Sequence, residues 1–288
     1  MGLCMLPGGV LATTSVVGHF HTTVKFVAAR NDTDLQALAA CQGSTLAARR
    51  FQWLVGVART NDGLVACSLD DPSAALHKFA LDGSMDELAT APPLAEYPRG
   101  FSLCAVHRQT QRTFALAMRD DDDRNAVAIL DSHLQVIATV EAAGPTNGAG
   151  PICDLAVHGD QVLVLTDDCH PKGPGLRLLD LDGRYLRTIA AGQFRNPQAV
   201  AASDGRAFVI DGYDEEDGYD EDDEESSEPL LSAVLHVIEI HSGNTLQTVP
   251  LELSGPDISS IIVDGDEIYI TDFTANKVTV LRFAGSEA

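Results

Sequence analysis

Two short stretches of the sequence carry residue types that bind metal ions. His19 and His21 form an H-x-H pair, and alternate residues of a strand share one face, so both imidazoles could reach a single ion. Residues 167–170 read Asp-Asp-Cys-His and form a second group of possible ligands. The candidate metal ligands are therefore His19, His21, Asp167 and His170. We expect no cofactor, and Ca²⁺ or Zn²⁺ is the alternative that these residues leave open.

The common motifs of nucleophilic, nucleotide-binding and zinc-protease sites are absent from the sequence. It contains no G-x-S-x-G, no phosphate-binding P-loop, no H-E-x-x-H and no G-x-G-x-x-G. Pairs of carboxylates are too frequent among the 42 acidic residues to indicate a glycosidase. We therefore assign no catalytic residue, and the interpretation inclines towards a protein that is not an enzyme.

The composition is strongly acidic. The 288 residues include 42 Asp and Glu against 19 Lys and Arg, which gives a net charge of −23. Nucleic-acid binding requires a basic surface, and an anionic membrane would repel this charge, so neither partner is expected. A protein partner with a basic segment is favoured instead. The six cysteines include no C-x-x-C pair and no signal peptide is evident, which predicts reduced thiols and a cytoplasmic location.

Apolar segments that end in aspartate recur along the chain. They are LVACSLD, FALAMRD, QVLVLTD, RAFVID and EIYITD, ending at Asp70, Asp120, Asp167, Asp211 and Asp272. The steps between these aspartates are 50, 47, 44 and 61 residues, and the last step contains an acidic insert of about fifteen residues. A period of about 45–50 residues is typical of one four-stranded propeller blade.

Each repeat has the same internal order of predicted strands. The first and second are nearly continuous apolar runs, as expected for strands buried on both faces, whereas the third and fourth tend to alternate, as expected for half-exposed outer strands. The predicted fold class is all-β, a β-propeller of six four-stranded blades in which the first and last blades are incomplete. Residues 1–288 form a single domain, and residues 213–229 are an acidic disordered loop inserted in the fifth blade.

The first repeat is short of residues. Segments 9–15, 24–29 and 35–41 match its second, third and fourth strands, so that only residues 1–8 remain for an inner strand. The last repeat stops after its third strand, at Phe283. Propellers remove exposed edges by closing on themselves. The sequence leaves open whether residues 1–8 close the ring or the seam is incomplete.

Residues 183–211, GRYLRTIAAGQFRNPQAVAASDGRAFVID, resemble an NHL repeat. The matching residues are Gly192, Phe194, Pro197, Asp204, Gly205 and Asp211. The last repeat is similar to the second half of the pattern through Asp272, Asn276 and Lys277, where the family usually has Arg in place of the lysine. The resemblance implies a propeller that acts as a binding platform. Related six-bladed propellers include metal-dependent hydrolases and lyases of the gluconolactonase-like type.

The repeat register predicts one acidic face. Because the strands that end in aspartate all run in the same direction, the segments that follow them should leave the disc on one side. The acids in these segments form the predicted partner-binding face: Asp71, Asp121, Asp122, Asp123, Asp168, Asp214, Glu215, Glu216 and Asp217. The aspartates at the strand ends themselves are expected to fix turns by accepting backbone N–H bonds.

Two classes of function fit these observations. The first is a non-catalytic scaffold that binds proteins through the acidic face. The second is a metal-dependent hydrolase or lyase of the gluconolactonase-like type, with a Ca²⁺ or Zn²⁺ site at the channel mouth. Salt-sensitive binding to a basic partner favours the scaffold, and a bound metal favours the enzyme.

Overall fold

The structure is a computed structural model of the chain. It describes residues 3–17, 21–28, 54–68, 75–81, 87–119, 125–141, 151–167, 173–212, 233–251, 258–272 and 277–282. The strands in these ranges form six antiparallel sheets, four with four strands and two with three. A single turn of 3₁₀ helix, Pro7–Gly9, is the one helical element among these residues, and none of their helices is long and apolar enough to cross a membrane.

The strands of each sheet follow one another in chain order. Sheet 1 contains β1 (Leu3–Leu6), β2 (Val10–Val17) and β3 (His21–Ala28). Sheet 2 contains β4 (Leu54–Arg59), β5 (Gly63–Ser68), β6 (Ala75–Ala80) and β7 (Glu87–Ala91). Sheet 3 contains β8 (Gly100–His107), β9 (Arg112–Met118), β10 (Ala126–Leu130) and β11 (Val136–Glu141).

The second half of the chain repeats the arrangement. Sheet 4 contains β12 (Ile152–His158), β13 (Gln161–Thr166), β14 (Gly175–Asp180) and β15 (Tyr185–Ile189). Sheet 5 contains β16 (Asn196–Ser203), β17 (Arg206–Gly212), β18 (Ala233–Glu239) and β19 (Thr245–Leu251). Sheet 6 contains β20 (Ile258–Asp264), β21 (Glu267–Asp272) and β22 (Lys277–Arg282). The prediction of an all-β propeller with four-stranded blades is confirmed.

The inner strand of sheet 1 answers a question that the sequence left open. β1, residues Leu3–Leu6, pairs with β2 and supplies the strand that only residues 1–8 could provide. The predicted strands at 9–15 and 24–29 correspond to β2 and β3. The predicted fourth strand at 35–41 lies outside the described residues.

Burial of the strands differs from the prediction at two of the four positions. The second strands are buried as expected, and every residue of β5 is inaccessible to solvent. Third strands that have a fourth strand beside them are more buried than predicted: all five residues of β10 are buried, because neighbouring sheets cover this strand on both faces, whereas β22 at the edge of sheet 6 is largely exposed. The first strands, such as β12, are only partly buried because they border the central channel. Only the outermost strands, such as β11, alternate as predicted.

Apolar side chains join each sheet to the next. Phe79 of sheet 2 packs with Leu6 and Val10 of sheet 1, and Phe114 of sheet 3 packs with Val162 and Val164 of sheet 4. Equivalent clusters join sheet 2 to sheet 3, sheet 4 to sheet 5, and sheet 5 to sheet 6. These contacts bury large aliphatic and aromatic side chains and supply most of the free energy that holds the sheets together.

A sixth cluster joins the two ends of the described chain. Leu3 and Leu11 of sheet 1 pack against Tyr269 of sheet 6, and each of the three is at most 3% exposed. The hydroxyl of Tyr269 donates a hydrogen bond of 2.6 Å to Glu267, so the buried phenol keeps a polar partner. We call this cluster the seam, because it closes the circle of sheets.

Basic side chains add a recurring bond between adjacent sheets. Nζ of Lys78 in sheet 2 donates to the backbone oxygen of Ser132 in sheet 3, at 2.9 Å. Arg112 of sheet 3 donates to the carbonyl oxygen of Leu181 at 2.8 Å. Arg187 of sheet 4 donates to the carbonyl oxygen of Ile240 in sheet 5 at 2.6 Å. In each case the acceptor lies between the third and fourth strands of the next sheet. These bonds therefore fix the orientation of one sheet relative to its neighbour.

The seam provides a test of the closed arrangement. We expect Leu11→Ala to lower the free energy of unfolding by about 2–5 kcal/mol, because it opens a cavity between sheets 1 and 6. The matched control is Leu246→Ala, at a side chain that is 52% exposed, which should change stability by less than about 0.5 kcal/mol. Urea denaturation measures both values. Equal small effects of the two substitutions would contradict a packed seam.

Candidate functional site

The two ends of the propeller differ in the chain segments that they carry. The carboxyl-terminal halves of all six inner strands line one central cavity, so these strands run in the same direction. We call the end where the inner strands turn into the second strands the turn end. Because pairing within each sheet is antiparallel, every second strand finishes at the opposite end, here called the loop end. The acidic segments of the sequence follow the second strands and therefore start from the loop end.

All of the predicted partner-binding residues lie outside the described part of the chain. This applies to the whole predicted acidic face: Asp71, Asp121, Asp122, Asp123, Asp168, Asp214, Glu215, Glu216 and Asp217. The acidic segment 213–229 also lies outside it, between β17 and β18 of sheet 5. The strands on either side of these segments are described, and they show where each segment begins and ends.

The predicted metal ligands are not brought together in the described residues. His19 and His170 lie outside them, and His21 is the first residue of β3, paired with Val17. Asp167 directly follows β13 and is exposed. β3 belongs to sheet 1 and β13 to sheet 4, and these two sheets are not neighbours. No group of three His, Cys, Asp or Glu side chains suitable for a metal occurs in the described ranges, and the metal site stays a prediction.

One aspartate at a strand end shows the expected structural role. Asp211 is 8% exposed, and its carboxylate accepts the backbone N–H bonds of Arg195 at 3.0 Å and Asn196 at 2.7 Å. Nε2 of His236 lies 3.4 Å from the same carboxylate, and Phe194 packs edge-on against the His236 ring. Asp211 therefore fixes the chain that enters the inner strand of sheet 5.

The aspartate at the end of β21 is also a structural residue. Asp272 is 1% exposed, and Nζ of Lys277 lies 3.5 Å from its carboxylate. Lys277 is directly opposite Asp272 in the register of β21 and β22. The pair anchors the ends of both strands at the loop end. Buried aspartates such as Asp211 and Asp272 thus stand at the ends of second strands, at the loop end. Any further acid of the segment that follows comes after this buried residue in the sequence.

A central cavity lies among the inner strands of the described structure. It has a volume of about 470 Å³ and extends from the middle of the inner strands to the turn end. Its lining includes apolar residues such as Leu103, Leu155 and Ile261. Four charged residues also line it: Arg59, Arg108, Asp154 and Asp264. A volume of this size is typical of small-molecule pockets, which span roughly 300–1,000 Å³.

Asp154 is the charged group deepest in the cavity. It lies in β12, next to an irregularity in the pairing of β12 with β13. Its carboxylate accepts the N–H of Leu155 at 2.8 Å and, across the sheet interface, the N–H of Val200 at 2.8 Å. Protein surrounds the side chain, and only the narrow channel gives it contact with solvent. Burial raises the pKa of Asp154 to about 7, although both N–H groups favour the charged form.

Sequence analysis missed the charged residues of the cavity. Asp154 interrupts the apolar segment ICDLAVH, and a lone acid in an inner strand was the available signal. Arg59 and Arg108 each stand at the end of the first strand of successive repeats, which was a second signal. The repeat register alone does not tell which side chains of an inner strand face the channel, so neither signal could be interpreted without the structure.

Comparison with known proteins shows similarity at the level of fold. No protein-family model matches the sequence, and no curated protein matches it. A chain in the crystal structure of a nidogen/laminin complex is similar with a TM-score of 0.61 and 11% identity, over 96% of this chain and 90% of that chain. Kuenenia stuttgartiensis hydrazine synthase is similar with a TM-score of 0.58 and 13% identity, over 98% and 95% of the two chains.

The similarity extends to a structure described as a propeller. The WD40 β-propeller domain of Doa1 has a TM-score of 0.53 and 13% identity, over 97% of this chain and 77% of that chain. Identities this low show the fold and carry no information on the chemistry of a site. The similarities therefore support the propeller architecture.

Titration of Asp154 should make the free energy of unfolding depend on pH. Folded protein holds this proton up to about pH 7, whereas an unfolded aspartate releases it near pH 4, so the unfolded state binds fewer protons between these values. The Asp154 contribution therefore makes stability fall as the pH rises from 4 to 7. We expect Asp154→Asn to gain stability relative to the wild type over this range, measured by urea denaturation at pH 4.5, 6 and 7.5.

The control for this measurement is an aspartate in the same sheet. Asp160→Asn removes a carboxylate from the exposed turn after β12 and shows whether loss of any nearby acid gives the same result. A difference between wild type and Asp154→Asn that stays constant across the three pH values would contradict a proton held by Asp154.

Proposed function

We propose that the protein is a non-catalytic binding propeller that attracts a basic segment of a partner protein to its loop end. The observation that carries this proposal is topological. β5, β9, β13 and β17 all finish at the loop end, and each is followed by one of the acidic segments. Four separate acidic segments thus start from one end of a rigid scaffold.

The distribution of charge supports this orientation. With 42 acidic and 19 basic residues, the whole chain repels anions at long range. Screening limits the effect of each charge to about 8 Å at physiological ionic strength, so the local density of acids decides which surface a basic segment finds first. Electrostatic complementarity of this kind accelerates association and selects the partner.

The fold is compatible with protein binding. The nidogen/laminin structure is that of a protein complex, and WD40 propellers such as that of Doa1 share the architecture. We propose the same kind of role for this chain, without nucleic acid or membrane as partner and with a cytoplasmic location. The excess of acidic residues supports the choice of partner.

We also propose that the two three-stranded sheets are incomplete blades of a six-membered ring of the NHL type. Six sheets and six apolar clusters between them support the count. Local structure at the NHL-like segment supports the type: Phe194 and Pro197 are buried, Asp211 accepts backbone bonds, and Asp204 and Gly205 have positive φ values of 48° and 74°. Such values favour glycine and aspartate in a tight turn.

The test compares acids at opposite ends of the disc. We expect the triple substitution Asp121→Asn, Asp122→Asn and Asp123→Asn to weaken binding of an oligolysine peptide by roughly threefold or more, since each exposed ion pair contributes up to about 1 kcal/mol. It should also reduce the dependence of binding on salt. Titration calorimetry at two salt concentrations measures both effects on the full chain.

A matched variant removes the same charge from the turn end. Asp160, Asp204 and Asp266 are exposed residues in turns between first and second strands. Their joint replacement by asparagine raises the net charge by the same three units. Equal weakening by the two triple variants would show that net charge, and not the loop end, governs the interaction. Absence of oligolysine binding by the wild type would contradict the proposal as a whole.

A further inference from the structure

Two arginines meet at the turn end of the central cavity. Arg59 is the last residue of β4, and Arg108 directly follows β8. The inner strands to which they belong are neighbours in the ring, and both residues line the cavity. Nδ2 of Asn61 donates to the backbone oxygen of Arg108 at 2.9 Å, so a bond between the sheets holds the two chain segments together.

No ion pair of Arg59 or Arg108 with a carboxylate is found in the described ranges of the chain, although the charge of Asp264 acts on Arg59 from a greater distance. The ion pairs found there involve other arginines: Arg112 with Asp182 and Arg282 with Glu267. Arg59 is half-buried and Arg108 is exposed. In a protein with more than twice as many acids as basic residues, two adjacent arginines without an ion pair are unusual. Their positive charges are available to a ligand that enters the cavity.

The electrostatics of Arg59 agree with this arrangement. Burial first, and then the charge of Arg108, lower the pKa of Arg59 from its ordinary value, whereas Cys4 and Asp264 raise it by less. The two guanidinium groups therefore lie close enough to repel each other. An anion bound between the two guanidinium groups would offset their repulsion. Its oxygen atoms would also accept the hydrogen bonds that the partly buried Arg59 cannot make to water.

We propose that the turn-end mouth of the cavity binds a small organic oxyanion, a phosphate monoester or a carboxylate, between Arg59 and Arg108. Guanidinium groups bind both kinds of oxyanion through paired N–H bonds. Gly8, which follows β1 of the neighbouring sheet 1, also lines the cavity and is exposed. This site lies at the other end of the disc from the acidic segments and is independent of the proposed protein binding.

The cavity also restricts the rest of the ligand. Asp154 lies deeper in the same space, and its carboxyl group, once ionised above about pH 7, would repel a second anionic group there. Small apolar residues such as Ala58 and Val106 form the wall between the two ends. The site therefore suits a molecule with one anionic end and an uncharged body, of a size that fits about 470 Å³.

Three probes with the same small body separate the possible chemistries. Glycerol 3-phosphate carries a phosphate, glycerate carries a carboxylate, and glycerol carries no charge. In titration calorimetry with the full chain we expect at least one of the two anions to bind and glycerol not to bind. Binding of glycerol 3-phosphate alone assigns the site to phosphate monoesters, and binding of glycerate alone assigns it to carboxylates. Failure of both anions to bind at millimolar concentration would overturn the proposal.

Substitutions locate the site. Arg108→Gln, at an exposed position, should weaken binding of the anion by about tenfold or more without loss of folding, because it removes a charge-assisted contact. Arg59→Gln should have a similar effect, and urea denaturation shows whether that variant remains folded. Arg184→Gln is the control, since Arg184 is exposed in a turn of sheet 4 and does not line the cavity. Affinity unchanged in Arg108→Gln, or lowered equally in Arg184→Gln, would refute binding at this mouth.

Discussion

Apolar packing between neighbouring sheets is the interaction on which the whole arrangement depends. Backbone hydrogen bonds satisfy the strands within each sheet, but the described sheets share no paired strand. The sheets are therefore held to one another by side chains alone. Each interface contains a cluster of buried residues, and the seam of Leu3, Leu11 and Tyr269 brings the first sheet against the last. Without the seam, an apolar face on each of these two sheets would be open to water.

Close packing of the sheets also creates the channel. Strands such as β9 and β10 are covered on both sides, whereas the inner strands converge on an axis that their side chains do not fill. Charged groups are tolerated there because water and backbone N–H groups remain within reach. Asp154 shows how narrow this tolerance is, since its two N–H partners do not offset the burial that raises its pKa to about 7.

Different side-chain interactions hold the chain at the two ends of the disc. At the turn end, specific side-chain bonds hold the turns in place, for example the ion pair of Lys78 with Asp62 at 3.1 Å within sheet 2. Burial opposes ionisation of Asp62, but hydrogen bonds from Lys78 and Thr60 hold the pKa of its carboxyl group below the usual value. At the loop end, buried acids such as Asp211 and Asp272 anchor the strand ends.

The sequence by itself determined the class of fold and the order of the strands. Repetition of apolar segments that end in Asp70, Asp120, Asp167, Asp211 and Asp272 is a local property, and a period of 44–50 residues is enough to predict blades. The same register predicted which segments start from one end of the disc. It did not predict that third strands such as β10 are completely buried, since alternation along a strand does not tell how many neighbours cover it.

Only the tertiary structure decided the closure of the ring and the chemistry of the channel. Leu3–Leu6 is too short to be identified as an inner strand before its partners in β2 and sheet 6 are known. Arg59, Arg108 and Asp154 are separated from one another by at least 46 residues in the chain, yet all three line the cavity. Their convergence depends on six inner strands meeting around one axis. The physical reason is that packing between sheets brings together residues that are far apart in the sequence. A local pattern of residues contains no information on such contacts.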